Sequence, residues 1–139
     1  MDRKEFLIVS GKIAAFTALS TCLFNCNQGS SNDITAPTNV DFTVDLSSQE
    51  GSALNSVGGY IYKNGIVIAR VSQTQFSALS QACTHQGTTV NYQASATRFH
   101  CPNHGSNFDT NGNVINGPAT RNLTKYNTSL SGNSLRVYS

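Results

Sequence analysis

Tryptophan is absent from these 139 residues, methionine occurs once, proline three times, and charged residues make up only 12% of the chain. So few charges do not support the salt-bridged surfaces of coiled coils and helical bundles. After residue 38 no window carries a convincing helix of three turns. Nine basic residues face seven acidic ones, a net charge of +2, and no basic run extends beyond Arg3-Lys4. Nucleic-acid binding therefore has no electrostatic footprint. The longest apolar run, Ile13 to Phe24, has 12 residues, whereas a helix crossing a bilayer needs roughly 20. The length suits one ordinary domain and leaves little room for a second. No internal repeat is evident.

What is present is a polar, turn-rich chain, full of Ser, Thr and Asn, with four cysteines and three histidines. Cys22 and Cys26 stand near the N-terminus, while Cys83, His85, His100, Cys101 and His104 share a window of 22 positions. An even cysteine count in an exported chain ordinarily suggests disulfides. Clustering with histidine points to metal instead.

The first 24 residues have the shape of an export signal: a charged start, Met1 to Glu5, then the apolar run ending at Phe24. Asp2-Arg3-Lys4-Glu5-Phe6-Leu7 resembles a twin-arginine motif with Lys in place of the second Arg. Leu19-Ser20-Thr21-Cys22 resembles a bacterial lipobox, which makes Cys22 the expected lipidation site. Diacylation there would hold the protein at a membrane surface, since each buried methylene contributes about 0.8 kcal/mol. Residues 25–39 are Asn-, Gln-, Gly-, Ser- and Thr-rich without periodicity and are expected to form a flexible polar tether.

From residue 40 the pattern becomes that of strands. Phe42, Val44 and Leu46 alternate with polar residues, the signature of a half-buried strand. Tyr60-Ile61-Tyr62 and Ile66 to Val71 flank Asn64-Gly65, a hairpin signal because a type I′ turn needs positive φ at both central positions. Further strands are expected at 75–80, 88–92, 97–100, 106–108, 124–130 and 134–138. Turn residues such as Asn111-Gly112, Gly117-Pro118 and Ser131-Gly132-Asn133 separate them. The fold class is thus all-β, an antiparallel sandwich or barrel-like domain spanning 40–139.

Two motifs flank one of these strand pairs. Cys83-Thr84-His85-Gln86-Gly87 is Cys-x-His, and Cys101-Pro102-Asn103-His104-Gly105-Ser106 is Cys-x-x-His. The intervening residues allow a strand, a turn near Gln93 to Ser95 and a returning strand, which would set the loops side by side. Each loop offers one thiolate and one imidazole. A structural zinc site in an interaction domain could use such a set, although zinc fingers usually pair like ligands and place the histidines on a helix.

In both loops and their separation, the chain resembles a Rieske [2Fe-2S] protein, with further likeness at Phe76-Ser77-Ala78-Leu79, Phe108-Asp109 and Gly117-Pro118-Ala119. The resemblance implies an antiparallel β-sandwich with two cluster-binding loops. It implies one [2Fe-2S] cluster, with Cys83 and Cys101 on one iron and His85 and His104 on the other. Two ferric ions, two sulfides, two thiolates and two neutral imidazoles sum to zero charge. An added electron then meets less repulsion than in an all-thiolate cluster, and the potential rises.

High-potential members carry an extra cysteine in each loop, joined as a disulfide; the corresponding residues here are Thr88 and Asn103. They also direct a serine and a tyrosine hydroxyl at the cluster sulfurs. Ser106 keeps the serine, and Phe108 stands at the tyrosine position. Fewer donors leave the reduced cluster less stabilised, so the expected potential lies below that of quinol-oxidising members. Gly117-Pro118-Ala119 resembles the proline loop of the respiratory branch. His100 is expected on the opposite face of its strand, as a packing or surface residue.

The expected function is one-electron transfer between redox proteins, a cytochrome or an oxidoreductase subunit, with no independent substrate chemistry. The location expected is the periplasm or cell surface of a bacterium, as a lipoprotein. An iron-sulfur subunit of a quinol-oxidising cytochrome complex, or of an exported oxidoreductase, is the alternative.

Overall fold

The structure, a computed structural model, describes residues 34–139. The expected export signal, Cys22 and most of the expected tether lie outside the described residues. Ten strands follow in chain order: β1 (Asp41–Asp45), β2 (Tyr60–Lys63), β3 (Ile66–Arg70), β4 (Phe76–Ser80), β5 (Asn91–Gln93), β6 (Arg98–His100), β7 (Asn107–Phe108), β8 (Val114–Asn116), β9 (Lys125–Ser131) and β10 (Ser134–Tyr138). Two short 3-10 turns, Ser52–Asn55 and Ala94–Ala96, supply the helical geometry among the described residues. None of their helices is long and apolar enough to cross a membrane.

The strands form a six-stranded sheet, β1-β10-β9-β4-β3-β2, and a four-stranded sheet, β5-β6-β7-β8, and all pairings are antiparallel. The β2–β3 hairpin closes at the Lys63–Ile66 pair, with Asn64 and Gly65 at φ +52° and +79°. Both values fit the type I′ turn that an Asn-Gly pair favours.

Two apolar clusters meet on opposite faces of β3 and β4. Ile66, Ile68 and Ala78 pack with Val44, Leu54, Tyr126, Leu135 and Val137 in the base. Val67, Ala69 and Leu79 pack with Val90, Tyr92, Phe99, Phe108 and Leu123 beneath the second sheet. Burial on both faces explains why β3 is a continuous apolar run, whereas β1, with one solvated face, alternates. Each fully buried side chain of this size contributes about 1.5–3 kcal/mol. Cys83 and Cys101 belong to the second cluster, so one packed core both supports the small sheet and encloses the two thiols.

The end of the expected tether lies against this body. Tyr126 donates its hydroxyl to the Pro37 carbonyl at 2.7 Å, and Ile34 and Pro37 lie beside Gly87 and Gly65.

The expected strands are present with shifted ends, notably β5, which begins at Asn91 rather than at residue 88. The strand β8 was not foreseen. It has only three residues, too few to display a period.

Candidate metal centre

The first sequence motif connects β4 to β5 and the second connects β6 to β7. Strands β5 and β6 pair, with Asn91 opposite His100 and Tyr92 opposite Phe99. The two loops are thereby brought to the same end of the small sheet.

The loops share one backbone design. Cys83 N–H donates to Thr88 O at 2.8 Å, and Gly87 N–H donates back to Cys83 O at 2.7 Å. Cys101 N–H donates to Ser106 O at 2.8 Å, and Gly105 N–H donates to Cys101 O at 3.0 Å. In each loop the glycine four positions after the cysteine has a left-handed backbone, φ +79° at Gly87 and +81° at Gly105. A Cβ at Gly105 would meet nothing within 4 Å, so glycine is needed there for its φ and not for space.

Like donors lie together. Cys83 and Cys101 are buried, unbridged by disulfide, and close enough to interact. Burial pushes the Cys83 thiol above its ordinary range. The neighbouring Cys101 raises it further, against backbone N–H groups of His85 and Gln86 that point at the sulfur. The imidazoles stand outside this pair, with His104 exposed and His85 half-buried. Their Nδ1 atoms are 3.2 Å apart, and the rings cross edge-on at 85°. Two nitrogens on one tetrahedral metal, each about 2.1 Å from it, would be separated by roughly 3.4 Å. The imidazole pair therefore has the spacing of two donors to one ion.

A third loop, between β8 and β9, is hydrogen-bonded to the ligand loops. The buried Ser106 Oγ accepts the Ala119 N–H at 2.9 Å, and Thr84 Oγ1 donates to the Arg121 carbonyl at 2.6 Å. The stretch from Ala119 to Arg121 is thus tied to both ligand loops. Phe108 has no exposed surface and packs beneath the thiols in the same cluster. Thr88 and Asn103 provide no thiols for a disulfide between the loops. His100 is a packing residue whose Nδ1 meets Asn107 Oδ1 at 2.8 Å.

Among the described residues, no three His, Cys, Asp or Glu side chains converge on one ion position. The donors form two pairs, which fits a binuclear group better than a single tetrahedral ion. A cavity of about 260 Å³ lies beside Phe76, Thr110 and Lys125, and none of the four donors lines it.

The model of the Rieske [2Fe-2S] domain matches residues 37–127, which include all four donors. The chain belongs to the Rieske [2Fe-2S] family. Its cofactor is a [2Fe-2S] cluster. The chain is similar to the cytochrome b6-f complex iron-sulfur subunit of Prochlorococcus marinus (strain MIT 9301), at 40% identity over 58 residues, covering 42% of this chain and 33% of the relative. The equivalent subunit of Synechococcus sp. (strain JA-3-3Ab) is 41% identical over 58 residues, with 42% and 34% coverage. Each match spans about a third of the relative's own length.

Among solved structures, the cyanobacterial plasma membrane Rieske protein PetC3 from Synechocystis PCC 6803 is similar, with 33% identity and a TM-score of 0.55. That alignment covers 63% of this chain and 93% of the other. The ferredoxin of carbazole 1,9a-dioxygenase from Nocardioides aromaticivorans IC177 shares the fold at 20% identity, TM-score 0.52, covering 75% and 98%.

Two Asn side chains at the Rieske site escaped the sequence reading. Asn107 is buried, and both Asn107 and Asn116 donate to the Gly105 carbonyl beside His104. The only signal for them was an Asn-rich stretch following the second motif.

Proposed function

We propose that this protein is an exported, lipid-anchored one-electron carrier in which Cys83 and Cys101 hold the inner iron of the cluster and His85 and His104 the outer one. The observation that carries this reading is the buried thiol pair beneath an imidazole pair whose Nδ1 atoms are 3.2 Å apart. When bound, the cluster supplies a reversible one-electron couple.

The protein's own residues supply the surroundings. The cysteines sit in an apolar core that excludes water, with the N–H groups of His85 and Gln86 offsetting negative charge on the Cys83 sulfur. The exposed His104 edge offers the short route out to a partner. Ser106 and Phe108 adjoin the donors, one bringing a hydroxyl and the other none.

The partner proposed is a redox protein, a cytochrome or an oxidoreductase subunit. The likeness to cytochrome b6-f iron-sulfur subunits supports the second reading, membership in a quinol-oxidising complex. The absence of loop cysteines at positions 88 and 103 and of a hydroxyl at Phe108 favours the first. Anchoring through Cys22 after export, at the periplasmic or outer surface of a bacterium, is supported by the lipobox-like Leu19 to Cys22.

Protein-film voltammetry tests the reading. The expected result is a single one-electron wave that is lost in Cys101→Ser and displaced or lost in His104→Ala. A wave unchanged in both variants would refute the ligand assignment. Acyl-chain labelling in a bacterial host that disappears in Cys22→Ala would support the anchor, and labelling of neither protein would refute it.

A further inference from the structure

The second ligand loop is held by a carboxamide network that the ligand assignment does not use. Asn107 is 7% exposed. Its Nδ2 donates to the Gly105 carbonyl at 3.2 Å and to Asn116 Oδ1 at 2.7 Å. Asn116 Nδ2 donates to the same Gly105 carbonyl at 3.0 Å and to the Gly117 carbonyl at 3.1 Å. The two backbone carbonyls accept only, so they fix the orientation of both amides. Asn107 Oδ1 is then an acceptor, and His100 donates to it through a protonated Nδ1 at 2.8 Å. All four amide protons of the two Asn side chains are engaged, which makes this a satisfied network of the kind that rigidifies its surroundings.

The network converges on one peptide. Gly105 directly follows His104, has a left-handed backbone, and its carbonyl is gripped from two sides. Loop one has no such clamp on Gly87 among the described residues; Thr84 ties that loop to Arg121 instead. His104 is the more exposed of the two imidazoles, so less of the protein packs around its ring.

We propose that Asn107 and Asn116 are positioning residues for His104: by fixing the Gly105 carbonyl and joining it to Gly117, they hold the exposed imidazole at the site and set how firmly the outer metal is retained. This rests on the ligand reading above. Outer partners that orient a metal ligand are typically worth 10–100-fold in metal affinity, so losing part of this clamp should speed loss of the outer iron roughly tenfold.

The test compares holoprotein with Asn107→Leu, Asn116→Ala and Asn116→Asp, the last keeping the acceptor for Asn107 while removing both donors. The readouts are cluster bleaching by a ferrous chelator, nitrogen couplings in pulsed EPR of the reduced protein, and the thermal unfolding midpoint. The expected result is about tenfold faster bleaching with one imidazole coupling altered and the other retained. Asn116→Asp should resemble Asn116→Ala. Altered unfolding midpoints with unchanged couplings and bleaching would overturn the proposal, leaving the network a merely structural one. Should Asn107→Leu not fold, the two variants at exposed Asn116 decide alone. Wild-type protein without any iron-sulfur EPR signal would overturn the ligand reading itself, a different outcome from variants that match a loaded wild type.

Discussion

Ser106 shows how much one hydroxyl can do in an apolar setting. It has no exposed surface, and its oxygen already accepts the Ala119 N–H. Among the described residues no hydrogen bond uses its own proton, which would be free to donate to a cluster sulfur. Ser106→Ala therefore removes two interactions. It leaves the buried Ala119 N–H unpaired, at a cost of about 1–3 kcal/mol, and, on the proposed ligand assignment, it withdraws a donor that would stabilise the reduced cluster. The expected outcome is a lower unfolding midpoint and a lower reduction potential. Phe108→Tyr, which adds a hydroxyl in the same cluster, should raise the potential. Voltammetry of both variants checks the pair. The place of Ser106 directly after the second ligand motif is evident in the sequence, but its tie to Ala119 is not, because that bond joins residues 13 apart.

Among the elements, strong local signals translated directly into structure. Asn64-Gly65 forms the expected hairpin, and the alternation from Phe42 corresponds to β1, in which Val44 is buried, with the buried Leu46 just beyond its end. The antiparallel return between the ligand loops also followed from their spacing, since β5 and β6 need only a short 3-10 turn between them. Strand β8 and the Ser52–Asn55 turn left no such trace. Their positions are set by long-range packing, through Leu54 in the base core and Asn116 in the carboxamide network, and a three-residue strand has no period to read.

The turn before β8 makes a prediction at this scale. Asp109 accepts N–H groups of Asn111 and Asn113, and Gly112 donates to the Asp109 carbonyl at 3.0 Å. Gly112 has φ +86°, and a Cβ there would lie 2.6 Å from the Leu123 carbonyl oxygen. Gly132, in the β9–β10 hairpin, also has positive φ, but a Cβ would meet nothing within 4 Å. Left-handed strain alone costs about 1–2 kcal/mol. Gly132→Ala should thus lose no more than that, while Gly112→Ala should lose distinctly more because Leu123 must move as well. Urea unfolding of the two variants checks the order, and equal losses would contradict it.

For the whole molecule, composition excluded more than it specified. Sparse charge and the absence of long apolar or helical stretches pointed to a small all-β domain, and the structure adds how that domain is divided. A single wall, β3 and β4, separates a base core from a core that encloses the thiols. That division was hidden in the sequence because β3 is apolar on both faces and so carries no orientation. It places the thiol pair inside a packed core and leaves the imidazole pair nearer the surface. The assignment of those donors to a binuclear cluster is the claim on which potential, partner and positioning all depend. Iron, zinc and acid-labile sulfide analysis of anaerobically purified protein tests it most directly. A binuclear cluster requires two irons and two sulfides per chain; one zinc per chain with no sulfide would rule it out.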